Sequence, residues 1–439
     1  MAEHSSRQQK SGAQRALGMA ALAACHFMGC VDSGTGGDDT AGGSPGAGSS
    51  NAGNARAGAS SSSAGKGGAN AGNGGADAGS AGDEAGADSG GASAGNASGG
   101  SSGTSPGTNQ VTAVAAGIAH TCAVVGGGVR CWGSNEQAQL GNGTLIDSAV
   151  PVQVEGITSG VTAICSAGYT TLVLINGGVK WWGAFLKVPA SLDGLTSGVT
   201  AISCGQSHNC ALLGDKPVCW GHNSYGQLAD PENYLDRAKP TPAFGLSGGV
   251  TLLATGTLHS CAYAGSSMWC SGSFGPPETH VAVLVDGFTA PVTQMAGGSG
   301  HTCAVVGGAA MCWGTDQFGA LGNGADPASN TPVTVSGLTS GVTAVATTTD
   351  HGCAVVDGSA KCWGRNENGA LGNDTTTDSN IPVQVSGLTS QVSAIACGSM
   401  HSCAIAAGSV QCWGKNQFGQ LGNASQVDSS VPVAVALEP

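Results

Sequence analysis

Charge is scarce in this chain, and positive charge is scarcer. Of 439 residues only 14 are Lys or Arg, against 27 Asp or Glu, so the formal net charge is −13. The deficit is uneven: residues 1–30 carry +2, residues 31–110 carry −5 and residues 111–439 carry −10. A region that acidic lacks the clustered Lys and Arg on which phosphate-backbone binding rests, so no nucleic-acid partner is expected. Long apolar runs are also missing. The stretch at residues 16–24 is nine residues long, whereas a hydrocarbon core needs about 20, so no transmembrane helix is expected. No Gly-rich phosphate loop joins a strand to a helix, and neither a G-x-S-x-G elbow nor an HExxH motif occurs. The carboxylates stand singly in variable loops. No catalytic residue, metal or cofactor is therefore expected.

What is abundant is glycine, 77 residues, and cysteine, 17 residues, arranged in a repeat. Copies open at Val111, Val161, Val199, Val250, Val292, Val342 and Val392, giving seven units of 38 to 51 residues. A period of that size marks an array in which each copy is one supersecondary unit. Four short apolar runs fill the first copy, VTAVAAG (111–117), TCAVV (121–125), GVRCWG (128–133) and VPVQV (150–154). Their β-branched, alternating residues predict strands.

In six copies two cysteines lie nine residues apart: Cys122 and Cys131, Cys210 and Cys219, Cys261 and Cys270, Cys303 and Cys312, Cys353 and Cys362, Cys403 and Cys412. If each pair lies across a hairpin, the central dipeptides are Gly126-Gly127, Gly214-Asp215, Gly265-Ser266, Gly307-Gly308, Asp357-Gly358 and Ala407-Gly408. These suit two-residue turns with positive φ, Ala-Gly least well. Counting outward puts both cysteines at a non-hydrogen-bonded pair, with Cα atoms roughly 4.5 Å apart, close enough for a disulfide. Six cross-strand bridges follow. Copy 2 has Leu172 and Trp181 instead, around Asn176-Gly177, so it keeps the register without the bridge.

Together the G-x-x-H-T/S-C-A-V start, the W-G ending the third strand, the N-x-x-G-Q-L-G-N box and the P-V-x-V strand resemble repeats of the RCC1 family (regulator of chromosome condensation). The bacterial form of this family includes a secreted β-lactamase inhibitor protein. The resemblance covers residues 111–439 and implies an all-β, seven-bladed β-propeller of four-stranded blades. Such closure leaves only short sheet edges.

The remaining segments read as export and tether. Residues 1–25 combine a basic start, an apolar stretch and Leu22-Ala23-Ala24-Cys25, which resembles a bacterial lipobox with Cys25 as the lipidated residue and Cys30 as the alternative. Residues 26–110 are a Gly, Ala and Ser-rich linker too poor in apolar side chains to fold. Membrane contact is then expected through the lipid anchor alone, on a bacterial cell envelope or surface. The many cysteines suit such an oxidising compartment. Cys165 and Cys204 occupy adjacent positions in the first strands of copies 2 and 3, so they can bridge neighbouring blades or stand as two small buried residues. Cys397 has no evident partner.

Histidine recurs two residues before the first hairpin cysteine, at His120, His208, His259, His301, His351 and His401. With the cysteines already paired, it reads as a structural hydrogen-bonding residue. Trp132, Trp182, Trp220, Trp313, Trp363 and Trp413 read likewise as packing residues. Symmetry breaks in the loop between the third and fourth strands, which carries the LGN box in copies 1, 5, 6 and 7, nearly vanishes in copies 2 and 4, and becomes HNSYGQLADPENYLDRAKPTPAFG at residues 222–245 in copy 3. All four tyrosines fall in copies 2 to 4. Because binding energy concentrates in Tyr, Trp and Arg on loops over a rigid scaffold, a protein-binding surface is expected at Tyr225, Tyr234, Arg237 and Lys239, flanked by Phe185 and Phe274. The expected function is a monomeric, non-enzymatic, surface-anchored protein-binding module. Inhibition of an enzyme and binding of a polysaccharide are the alternatives; guanine-nucleotide exchange, the activity of the founding member, is not expected of an exported chain.

Overall fold

The computed structural model describes residues 110–437, apart from 231–233, 275–278 and 326. The expected export segment and linker, with Cys25 and Cys30, lie outside the described residues. Twenty-eight strands form seven four-stranded antiparallel sheets, each with its strands in sequence order. In blade 1 these are β1 (Val111–Ala116), β2 (His120–Val125), β3 (Gly128–Gly133) and β4 (Ser148–Gln153). The last blade runs from β25 (Val392–Cys397) through β26 (His401–Ala406) to β28 (Ser429–Ala434). First strands surround a central channel, and β1 packs on β25 and β26. The ring therefore closes without exchange of a strand between the terminal blades.

The hairpin register follows from its turns. Cys122 pairs with Cys131 across β2 and β3, and Leu172 pairs with Trp181 in the same place in blade 2. Both turn residues have positive φ at Gly126-Gly127, Asn176-Gly177, Gly307-Gly308, Asp357-Gly358 and Ala407-Gly408, the signature of a primed turn that matches strand twist. The six hairpin disulfides span Cα distances of 4.0 to 4.1 Å. A seventh joins Cys165 to Cys204 between blades 2 and 3, with Cα atoms 5.7 Å apart.

Apolar burial lies between blades rather than within them. Seven core clusters each combine side chains of two successive blades; the last joins Val114 and Trp132 to Ile405, Val410 and Leu421 across the closing seam. Two sequence motifs build these seams. Each LGN box lies over the tryptophan of the next blade, whose indole N–H donates to a box carbonyl: Trp182 to Gln139 at 2.8 Å, Trp363 to Ala320 and Trp413 to Ala370 at 2.8 Å, and Trp132 to Gln420 at 2.9 Å. The box glycine must be glycine because a Cβ on Gly422 would meet the Trp132 indole at 2.7 Å, on a backbone with φ +67°.

The histidine is the second motif. His120 Nε2 lies 2.9 Å from the Thr171 hydroxyl, His208 2.8 Å from Ser260, His259 2.7 Å from Thr302, His351 2.9 Å from Ser402 and His401 2.8 Å from Thr121, always one blade onward. His301 contacts the Thr347 hydroxyl of blade 6, because Gly352 supplies none at the usual position. Thr121 donates its own proton to the Gln420 carbonyl, and Ser402 to that of Ala370. His401 and His351 must therefore donate through Nε2, which fixes their neutral tautomer. Blade 2 has Thr170 in place of the histidine, and its seam with blade 3 is the one closed by Cys165–Cys204.

Candidate functional site

Antiparallel order assigns the two ends of the propeller. The turns joining first to second strands and the loops joining third to fourth strands lie at one end; the two-residue hairpins lie at the other. Of the fifteen exposed large apolar side chains among the described residues, nine sit in loops and turns of the first end: Leu145, Ile146, Tyr169, Phe185, Tyr225, Tyr234, Leu235, Phe318 and Val427. The hairpin end has Leu213. Seven of those nine belong to blades 1 to 3, so the exposed apolar sector is centred one blade earlier than the tyrosine distribution implies.

Blade 2 explains the sector. Its third-to-fourth connection is a two-residue turn, Ala184 and Phe185, both with positive φ. Phe185, 54% exposed, is anchored by its N–H, which donates to the Gln137 carbonyl of blade 1 at 2.8 Å. Gly143 N–H likewise donates to the Lys187 carbonyl at 3.0 Å. The blade 1 loop thus leans on blade 2 and brings Leu145 and Ile146 beside it. Sequence reasoning missed this pair. The signal was present: where blade 1 has Leu145-Ile146, copies 6 and 7 have Thr376-Thr377 and Gln426-Val427.

The blade 3 loop divides in two. Its first half is an ordinary box: Asn223 Oδ1 accepts the Leu228 N–H at 3.0 Å and its own N–H donates to Asp236 at 2.9 Å, as Asn135 does with Leu140 and Asp147 at 2.9 and 2.7 Å. Tyr225 therefore stands where blades 5 and 7 have Phe318 and Phe418. The second half carries Tyr234 and Leu235, 56% and 69% exposed. Arg237 is engaged rather than free: its Nε donates to Asp230 at 3.0 Å, which pins the loop to its own base. Lys239 is exposed on the outer strand.

Phe274 corrects the expected flank. It is 6% exposed and packs with Tyr263, Met268 and Met295 in the core between blades 4 and 5, 6.0 Å from the His259 ring. Trp313 beside it meets Phe288 edge-on at 5.4 Å. Tyr263 and Phe274 are buried in that seam, and so they cannot meet a partner.

The central channel narrows at the loop-bearing end to a cavity of about 40 Å³, lined by residues such as Gly117, Gly205, Gly256 and Gly298. That volume admits a few waters, far below what a small-molecule site needs. The His–Ser and His–Thr pairs resemble a base beside a nucleophile, but their rings are buried. Burial lowers the imidazoles from 6.5 to about 4 at His120 and His301, and to about 3 at His208, His259, His351 and His401. They are neutral ties rather than proton carriers. Cys397 is also buried, its thiol pushed up to about 12 by desolvation, with Sγ 3.6 Å from the Ala346 carbonyl.

The repeats match known proteins. A family model described as Regulator of chromosome condensation (RCC1) repeat matches residues 126–174, 357–405 and 407–439, and a second model of that description matches residues 111–139. Comparison with curated proteins gives no match. Among solved structures, Prp20p from Saccharomyces cerevisiae is 18% identical over 75% of this chain and 87% of its own, with a TM-score of 0.59. Yeast RCC1 (Prp20) bound to Kap60 is 19% identical over 66% of this chain and 78% of its own, with a TM-score of 0.58. Human WBSCR16 is 21% identical over 75% of this chain and 82% of its own, with a TM-score of 0.51. At these identities the likeness is one of fold. By its repeats and its seven four-stranded blades, the region that begins at Val111 is an RCC1-like β-propeller.

Proposed function

We propose that this chain is an exported, non-enzymatic protein-binding propeller, tethered by residues 26–110 to a lipid anchor at Cys25 or Cys30, whose partner docks on the loop-bearing end across blades 1 to 3. The observation that carries this reading is the segregation of exposed apolar side chains: Leu145, Ile146, Tyr169, Phe185, Tyr225, Tyr234 and Leu235 share one sector of one end, while the hairpin end has Leu213. Contiguous apolar surface on a rigid scaffold is a usual mark of protein recognition. Seven disulfides fit an oxidising compartment, in keeping with export.

The test is capture from cell-envelope extract on the full, oxidised chain, compared with Tyr234→Ala and Phe185→Ala. A specific protein retained by the parent and lost from both variants supports the reading. Equal capture by all three overturns the sector, and retention on polysaccharide resin alone overturns the partner class. Loss of activity of a captured enzyme would make the partner an inhibited one.

A further inference from the structure

Cys397 is the one cysteine among the described residues that stands outside a disulfide, and it faces one. It ends β25 at the register position that Cys204 holds in β9 (Val199–Cys204), from which Cys204 bridges back across the seam to Cys165. A sulfur at this position therefore reaches the preceding blade. Cys204 meets no hairpin disulfide there, because blade 2 pairs Leu172 with Trp181. Cys397 does. Across its seam Ala346 takes the place of Cys165, and the sulfur it meets belongs to Cys353 in β22 (His351–Val356). The Sγ atoms of Cys353 and Cys397 and a ring nitrogen of His351 all lie within 4.8 Å of one another. Cys397 donates its S–H to the Ala346 carbonyl, and Ala346 is the residue paired with Cys353 in the same sheet.

We propose that Cys397 exchanges with the blade 6 hairpin disulfide, so that this seam has two covalent forms, Cys353–Cys362 within blade 6 and Cys353–Cys397 between blades 6 and 7. In the exchange the Cys397 S–H gives up its proton and the thiolate bonds to Cys353 Sγ. The Cys353–Cys362 bond breaks, and Cys362 leaves as a thiolate that takes up a proton. One disulfide and one thiol are present before and after, so neither an oxidant nor a reductant is needed. Cys397 borders the central cavity of about 40 Å³, which admits water to carry the proton. Release of Cys362 leaves blade 6 folded, since Leu172 and Trp181 keep the hairpin register of blade 2 without a bridge. The bond gained ties blade 6 to blade 7 as Cys165–Cys204 ties blade 2 to blade 3. The other five hairpin bridges have no such neighbour, because Ala116, Ser166, Thr255, Gly297 and Thr347 hold the position of Cys397 in the blades that follow them.

The experiment maps tryptic peptides of the full oxidised chain after acid quench, denaturation and alkylation. Cleavage after Lys361 and Arg365 isolates Cys362 as residues 362–365, apart from Cys353. One arm asks whether the inter-blade bridge fits: in Cys362→Ala, Cys353 should be found linked to Cys397. A Cys353 that is alkylated, or linked elsewhere, overturns the proposal. The other arm asks whether exchange occurs in the parent. Burial pushes the Cys397 thiol up to about 12, so the native chain is held at pH 9, where its thiolate is about a hundredfold more abundant than at pH 7, and sampled over hours. Alkylated 362–365 should accumulate together with the Cys353–Cys397 cross-link. Both should be lost in Cys397→Ala, and Cys412, whose hairpin bridge faces Ala116, should stay unalkylated. A parent in which Cys362 remains linked to Cys353 throughout, or a release of Cys362 that persists in Cys397→Ala, overturns the proposal. Phe185→Ala lies on another surface and should exchange like the parent, so failure at this seam is distinguishable from failure of the loop-end reading.

Discussion

Acid should loosen the propeller at its seams before its carboxylates are neutralised. Six buried imidazoles tie blade to blade, and each is harder to protonate in the folded chain than in the unfolded one, where the value is 6.5. A depressed folded pKa stabilises the fold in full above pH 6.5. That contribution is lost as pH falls through the window between 6.5 and about 3 to 4, because the unfolded chain takes up protons the folded chain refuses. At pH 5 the difference amounts to about 2 kcal/mol per histidine, and on the order of 12 kcal/mol for six acting together. Desolvation is the main cause at each. Repulsion between neighbours adds to it, as between His259 and both His208 and His301, so the response should be steep. Urea midpoints of the oxidised chain, measured from pH 7.5 to pH 4.5, should fall steeply below about pH 6.5. His301→Gln should reduce the slope by about one proton's worth, about 1.4 kcal/mol per pH unit, whatever it costs at neutral pH. Midpoints that stay level down to pH 5, or a slope untouched by His301→Gln, would show that the rings are not buried neutral ties.

Three further outcomes follow from the seams and turns. Ala346 and Cys397 hold the register of Cys165 and Cys204 between blades 6 and 7, so Ala346→Cys should close a further bridge, leave Cys397 unreactive in peptide mapping after alkylation under denaturing conditions, and add up to about 4 kcal/mol on the chain-entropy model; a Cys397 that is still alkylated would refute the alignment. Ala407 occupies a left-handed turn position with φ +49°, so Ala407→Gly should raise the urea midpoint by an equivalent of up to about 1 kcal/mol. Gly422→Ala drives a Cβ into the Trp132 indole and should lower stability by about 2 to 4 kcal/mol, with tryptophan fluorescence reporting the opened closing seam.

The parts of this architecture legible in the sequence are those fixed by local chemistry. Asn176-Gly177 dictates a hairpin whether or not cysteines flank it, and the nine-residue spacing of Cys122 and Cys131 around Gly126-Gly127 sets both register and bridge. The parts that were not legible depend on what a neighbouring blade leaves empty. Phe274 and Tyr225 look equivalent as aromatics in irregular loops, yet Phe274 fills the seam beside Trp313, and Tyr225 occupies an ordinary box position shared with Phe318. Repeat-to-repeat alignment distinguishes them better than residue type does: Tyr225 shares its box position with Phe318 and Phe418, and Tyr234-Leu235 precede Asp236 as Leu145-Ile146 precede Asp147.

Blade 2 shows how one change forces another. A regular seam has a histidine reaching the next blade's hydroxyl, a box roofing the next tryptophan, and a shared apolar cluster. Blade 2 has neither the histidine nor the box, so its seam with blade 3 keeps only the cluster around Ile202, Leu195 and Trp220. At that seam Cys165–Cys204 supplies a covalent tie. The bridge ties a seam that has lost both the histidine and the box, and the two-residue turn that replaces the box carries Phe185 exposed at its tip. Blade 4 also lacks the box but keeps His259 on the Thr302 hydroxyl and carries no such bridge, so the covalent tie goes with the loss of both devices rather than with the short loop alone.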